Sequence, residues 1–335
     1  MAVTIKDIAK RADVTPMTVS LSLRGRPGVS SKKREEIKVL AETLGYRPQA
    51  AARSMRTQRT NLIGVLLRNA PDKPFHYTSE FEFILGINQS LEPANYVLSV
   101  VRIEDVPVDG KHMSRVFREK ILDGMIVIAG IPDQAISVVK KLIPHCVFLD
   151  TNAWEETGCL RRDEVHCGRT VAQAMVDAGY QRLVWACSKR IHFSHTERLE
   201  GIRKVASESG VMLETLALPE WMHTPDSDML KNAFGPDAVV ITSEPNDAVR
   251  MVYYGSQLGL CLGRDFSVAC CDRTHDVRMS MSGLSCVTYD RMAFGRRAGQ
   301  MLLEMLKNPE SPCQSLRIRS DWFAGDTARG TAKER

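Results

Sequence analysis

The chain has 335 residues, 44% hydrophobic and 25% charged, which is enough for more than one buried core. Its net charge of +5 is unevenly spread: residues 1–60 hold 13 Lys and Arg against 5 Asp and Glu, while the remainder hold 32 against 35. A basic head with no 18-residue apolar run and no signal-peptide pattern argues against a membrane-bound or exported protein and for a cytoplasmic one that binds phosphates.

In chain order, Thr4-Ile5-Lys6-Asp7 reads as a capping box, and Ile5, Ile8, Ala9 and Ala12 form the apolar stripe of a first helix. Only Asp13 and Val14 precede a second helix, capped by Thr15, with Pro16 at its first position and Gly25 suited to a left-handed stop after Arg24. On its wheel Val19 and Leu23 share one stripe, while Met17, Ser20, Leu21 and Arg24 share another. Two short helices across a tight turn with a basic outer surface suit a helix-turn-helix, although an ordinary helical hairpin has the same pattern. A third helix, capped by Ser30 or Ser31 and ended by Gly45, turns Ile37, Leu40, Ala41 and Leu44 inward and leaves Lys32, Lys33, Arg34 and Lys38 exposed. After Pro48, Gln49 to Arg56 is Ala-rich but too short to stay helical unaided; a plain basic linker is the alternative.

From Asn61 onward apolar runs alternate with amphipathic stretches. Strands are expected at 62–67, 96–101, 125–129, 146–149, 183–187, 212–218, 238–242 and 266–270, with helices such as 81–91, 165–178, 196–208 and 246–257. The alternation predicts parallel sheets covered by helices in two doubly wound lobes, with a ligand at the strand ends between them. Nine cysteines, an odd number without C-x-x-C, read as reduced thiols. His192, His195 and Cys187 lack a second ligand pair, so no metal is expected. Without a Walker A loop, G-x-G-x-x-G, G-x-S-x-G or H-E-x-x-H, no cofactor and no catalytic residue is expected either.

Val3 to Ala9, Val14 to Ser20, Val29-Ser30, Leu44 to Pro48, Ala52 to Met55 and Ile63 to Val65 resemble the head and linker of the LacI/GalR family of transcription regulators. The likeness continues weakly through Asp123 to Ile126, Val147 to Asp150, Arg198 to Gly201, Ser267-Val268 and Cys271-Asp272, nearly the whole chain. It implies an α/β protein: a three-helix helix-turn-helix head at 1–47, a hinge helix and linker at 48–60, and a periplasmic-binding-protein-like body at 61–329. The implied lobes are about 61–161 plus 290–318 and about 162–289 plus 319–329. Also implied are a homodimer on pseudo-palindromic double-stranded operator DNA and a repressor whose grip is changed by a small, carbohydrate-derived effector. An α/β enzyme acting on a carbohydrate, with a fused DNA-binding head, is the alternative.

The DNA-contacting set is then Thr4, Thr15, Pro16, Met17, Thr18, Ser20, Leu21 and Arg24 in the head and Arg53, Met55 and Arg56 in the hinge. Pro16, Met17 and Leu21 stand where the family often places hydrogen-bonding side chains. Met17 and Leu21 suit thymine methyl groups, unless both cover the head's own core. The resemblance places Met55 as an apolar minor-groove wedge, flanked by Arg53 and Arg56. It aligns Asp150, Arg198 opening a helix, Trp221 in a loop, and Asp272 with effector contacts. Surface salt bridges for the charged three and a core or dimer-face role for Trp221 are the alternatives. Arg161, Arg162, Lys189 and His192 near the cleft also suit a sugar acid or sugar phosphate. Three features depart from the family: Glu244-Pro245 stands where Asn-Asp is usual, with Asn246-Asp247 two residues later; Asp72 to Thr78, with Phe75, His76 and Tyr77, looks inserted; and Asp321 to Arg329 lacks the common Arg-containing ending.

Overall fold

The structure is a computed structural model describing residues 3–46, 59–67, 77–108, 114–128, 130–188, 193–219, 227–311 and 313–330. The expected hinge helix with Arg53, Met55 and Arg56 lies outside these residues, as do Trp221, Lys189, His192, Phe75 and His76. The chain divides into two compact units, Met1–Thr60 and Asn61–Arg335.

In the first unit α1 (Ile5–Ala12) begins at Thr4, whose hydroxyl and amide both meet the Asp7 carboxylate. Asp13 turns left-handed at φ 51°, and α2 (Pro16–Leu23) starts after Thr15, whose Oγ1 accepts from the Thr18 amide at 3.1 Å. Gly25 adopts φ 68° beyond α2, the backbone conformation that a side chain there would strain. Ser30, not Ser31, caps α3 (Ser31–Thr43). Ile8, Ala9, Val19, Ile37 and Ala41 close the core, flanked by Leu23, Leu40, Leu44 and Tyr46. Arg34, expected to be exposed, is partly buried: it donates to the carbonyls of Arg26 and Val29 and so ties the Pro-Gly loop to α3.

The second unit holds two six-stranded sheets. The N-terminal sheet runs β11 (Leu316–Ile318), β5 (Cys159–Arg162), β4 (Cys146–Leu149), β3 (Gly124–Ile128), β1 (Leu62–Leu67), β2 (Val97–Arg102), all parallel. The C-terminal sheet runs β12 (Asp321–Phe323), β10 (Ser285–Thr288), β9 (Ser267–Cys270), β8 (Ala238–Thr242), β6 (Arg182–Ser188), β7 (Met212–Leu218), with only β12 antiparallel. The long apolar strands were legible. β5, β10, β11 and β12 were not, because they are three or four residues long and carry polar side chains, too little to show a period.

Helices cover both faces of each sheet. α4 (Tyr77–Leu91) and α12 (Arg291–Lys307) pack against one face of the N-terminal sheet, while α5 (Arg115–Arg118) and α6 (Asp133–Leu142) serve the other. In the C-terminal lobe α7 (Glu164–Asp177) and α8 (Phe193–Ser209) share a core on one face, and α9 (Ser227–Ala233), α10 (Pro245–Gln257) and α11 (His275–Ser280) lie on the other. Two helix pairs approach backbone to backbone. A Cβ on Gly295 of α12 would lie 2.1 Å from the Phe83 carbonyl of α4, and one on Gly168 of α7 would lie 2.0 Å from the Arg198 carbonyl of α8. The chain passes between lobes after β5, after β10 and after β11.

Candidate functional site

On the head, Met17 is 66% exposed, so it does not cover the core, and Leu21 is half-buried against the loop at Gly28, outside that core. Ser20 sits between them. Arg24 folds back on it, Nε donating to the Ser20 carbonyl and Nη2 to its hydroxyl, both at 2.8 Å. Thr4 and Thr15 face solvent and Thr18 is half-buried, and their hydroxyls serve the helix starts: Thr4 pairs with Asp7, and the Thr15 and Thr18 hydroxyls lie 2.9 Å apart. Pro16 is exposed at the first helical position. The outward surface of α2 is thus apolar at Met17 and Leu21 and polar at Ser20 and Arg24.

In the body, the carboxyl ends of strands from both sheets bring together the second set. Asp150 follows β4, Arg162 ends β5, Ser243 follows β8, Cys271 and Asp272 follow β9, and Tyr289 to Arg291 follow β10. Arg162 lies 3.0 Å from Glu164 and 3.5 Å from Asp272, and it donates to the Cys271 carbonyl at 3.2 Å. Arg198 donates from Nε and Nη2 to Glu164 at 2.7 and 3.0 Å, and from Nη1 to the carbonyl and hydroxyl of Ser243 at 2.8 and 3.0 Å. Asp272 receives two bonds from Arg291 Nη2, at 2.6 and 2.7 Å. Tyr289 lies beneath both guanidinium groups, 4.8 Å from Arg162 and 4.6 Å from Arg291.

Burial by itself would raise the Asp272 carboxyl, but Arg291 and Arg162 outweigh it and hold the group well below the usual range. Glu164 is lowered by Arg162 and Arg198 against the same opposition. Asp150 goes the other way. Burial, then the neighbouring Glu164 charge, pushes it up to about 6, with its Oδ1 sealed from solvent and without a protein hydrogen-bond partner. Its backbone is left-handed, φ 53°.

Of the four expected effector contacts, Arg198 and Asp272 thus join one bonded network through Glu164 and Arg162, Asp150 lies beside it within reach of its charges, and Trp221 lies outside the described residues. Two details differ from expectation. Arg198 does not open its helix but sits in the second turn of α8, buried, with most of its donors already engaged by Glu164 and Ser243. Nor are these surface salt bridges, since Arg162, Glu164, Arg198 and Arg291 are all buried. Pro245 takes the first position of α10, and Asp247 is paired with Arg250 at 3.0 Å and pushed up to about 6 by burial and by Glu244.

Sequence reading missed Glu164, Ser243, Tyr289 and Arg291. One signal was present: Arg161-Arg162-Asp163-Glu164, four consecutive charges straight after the apolar pair Cys159-Leu160 and before a helix. Among the described residues no group of three His, Cys, Asp or Glu is placed to hold a metal ion, and no helix is long and apolar enough to cross a membrane.

A capped helix-turn-helix unit and a body of two parallel-sheet lobes, with charged groups gathered at the strand ends, define a DNA-binding regulator with a binding-protein-like body. Residues 4–49 match the model described as bacterial regulatory proteins, lacI family, and residues 172–327 match the periplasmic binding protein-like domain. The chain belongs to the LacI family of transcription regulators. It is 22% identical over 315 residues to catabolite control protein A of Priestia megaterium (91% of this chain, 93% of the relative). With the ribose operon repressor of Haemophilus influenzae it shares 25% identity over 330 residues (93% and 95%). A lac repressor dimer bound to operator and the anti-inducer ONPF has the same fold, with a TM-score of 0.76 at 17% identity, covering 98% of this chain and 99% of that one. The transcriptional regulator CelR in complex with cellobiose gives 0.66 at 17% identity, covering 97% and 99%. The curated relatives above are regulators, which leaves the fused-enzyme alternative without support.

Proposed function

We propose that the chain is a transcriptional repressor that binds pseudo-palindromic operator DNA as a homodimer and changes its grip when a small carbohydrate-derived effector enters the cleft between the lobes. The outward set on α2 carries the DNA half of this reading: an exposed Met17 and a half-buried Leu21 flanking Ser20 and Arg24, on a helix fixed by Thr15 and Pro16. Polar contacts from Ser20 and Arg24 position the helix, and Met17 and Leu21 read thymine methyl groups. In the hinge, Arg53 and Arg56 contact the minor groove and Met55 enters a base step. The cluster of Asp150, Arg198 and Asp272 supports the effector half, with Trp221 as a further contact. Asp150 keeps an unused acceptor for a ligand hydroxyl, whereas Arg198 and Asp272 must exchange an existing partner.

Selecting DNA fragments with the purified protein yields the operator, and repeating the selection with sugars, sugar acids and sugar phosphates identifies the effector class. In that assay Leu21→Ala should cost about 1 kcal/mol or more of discrimination at one base pair of each half-site. An unchanged base preference at every position would remove Leu21 from the reading surface.

A further inference from the structure

A second charged assembly lies on the opposite side of β5 from Arg162. Successive residues of a strand face opposite ways, so Arg161 turns away from Tyr289 and toward the loop after β4 and the start of α8. Its side chain is 5% exposed and sits 4.7 Å from the Phe193 ring and 5.2 Å from the Trp154 ring, with Nη2 donating to Glu197 at 2.7 Å. Directly across the β5–β11 ladder, Arg317 lies 4.5 Å over the same Trp154 ring and 3.9 Å from the same Glu197 carboxylate. Trp154, Arg161 and Arg317 belong to the N-terminal lobe. Phe193 and Glu197 form the first turns of α8 in the C-terminal lobe, one residue short of Arg198.

The geometry points to this stack as a clasp between the lobes: Trp154 and Arg161 are positioning residues that fix the start of α8, and with it Arg198, against the N-terminal lobe. The inference rests on the reading of the cleft as the effector site. A buried guanidinium loses its water, and Arg161 is compensated by one carboxylate and two aromatic faces while its Nε has no hydrogen-bond partner. That compensation needs Phe193 within about 6 Å of the cation, so parting the lobes by a few ångströms there removes it rather than stretching it. The clasp is therefore either made or lost. Effector contact at Arg198 and closure at Phe193 act on the same two turns of helix, and each favours the other.

Hydrogen exchange on the full chain, with no ligand added, tests this in Trp154→Ala and Trp154→Phe. Trp154 is 38% exposed, so neither change empties a core. In Trp154→Ala, exchange at residues 193–198 and at the three lobe crossings should rise roughly tenfold, and Trp154→Phe, which keeps a ring for both arginines, should restore most of the protection. Unchanged exchange at 193–198 in Trp154→Ala, or a rise confined to the loop 150–157, overturns the clasp. An equal rise in Trp154→Phe also overturns it, since a role in packing alone would not be rescued by a smaller ring. The effector reading fails by a separate result, that no small molecule in the selection alters operator binding by the unmodified protein.

Discussion

The head and the cleft are stabilised at different ranges along the chain. In the head the polar bonds are local: Thr4 to Asp7, Thr15 to Thr18, Ser30 to Lys33 and Arg24 to Ser20 each span three or four residues around a small apolar core. In the cleft, apart from the neighbouring Arg162 and Glu164, the bonds are long: Arg198 reaches Glu164 across 34 residues and Ser243 across 45, and Arg162 reaches Cys271 across 109. Local bonds set the shape of a helix, so the head is specified piece by piece. The cleft network draws on strand ends of both sheets, so it depends on how the two lobes are arranged.

Removing Glu164 is the most severe way to break that contrast. Glu164→Ala leaves Arg162 and Arg198 buried without their shared carboxylate, and the body should lose about 3–5 kcal/mol of stability, read by denaturant unfolding. The head, followed by exchange at residues 5–44, should be unaffected. Asp150→Asn should act in the opposite direction and depend on pH. A carboxyl raised to about 6 in the folded chain, against about 4 unfolded, opposes folding increasingly as pH rises between those values. Asn keeps the left-handed backbone and lacks the charge, so the variant should be more stable than the parent by on the order of 2 kcal/mol near pH 7.5, with the difference gone below about pH 4. Parallel stability curves across that range would show that the network does not strain Asp150. The smallest effect is Thr15→Ala, which removes the cap of α2 and should cost the head about 1 kcal/mol while the body unfolds as before.

The same difference in range explains what could be read in advance. Capping residues, Pro16, Gly25 and the inner stripe of α3 are signals carried within a few residues, and the head follows them apart from Lys33 and Arg34, which are half-buried; the partners of Arg34 in the Arg26 to Val29 loop have no sequence signature. β1, β4, β7 and β8 were legible to the residue because six, four, seven and five consecutive mostly apolar positions leave little choice. At the cleft the resemblance brought Asp150, Arg198 and Asp272 into view, and the structure gathers them around one cluster of charges. It gave no sign that Arg198 and Asp272 are already engaged by Glu164 and Arg291, because those pairings depend on which strand ends meet in space. Trp154 and Phe193 were invisible for the same reason: an aromatic in a loop and one at a helix start acquire meaning only when Arg161 lies between them.

The glycine seams between α4 and α12 and between α7 and α8 bear on how displacement travels through each lobe. Where side chains interdigitate, a small push is absorbed by rotamer changes, as in a soft joint. At Gly168 the backbone of α7 lies against the Arg198 carbonyl with no side-chain layer to yield, so a shift of α8 toward it should push on α7 directly. The two helices should move as one, and the end of α7 nearest this seam is Glu164, one turn from Gly168, where the chain has just crossed from the other lobe.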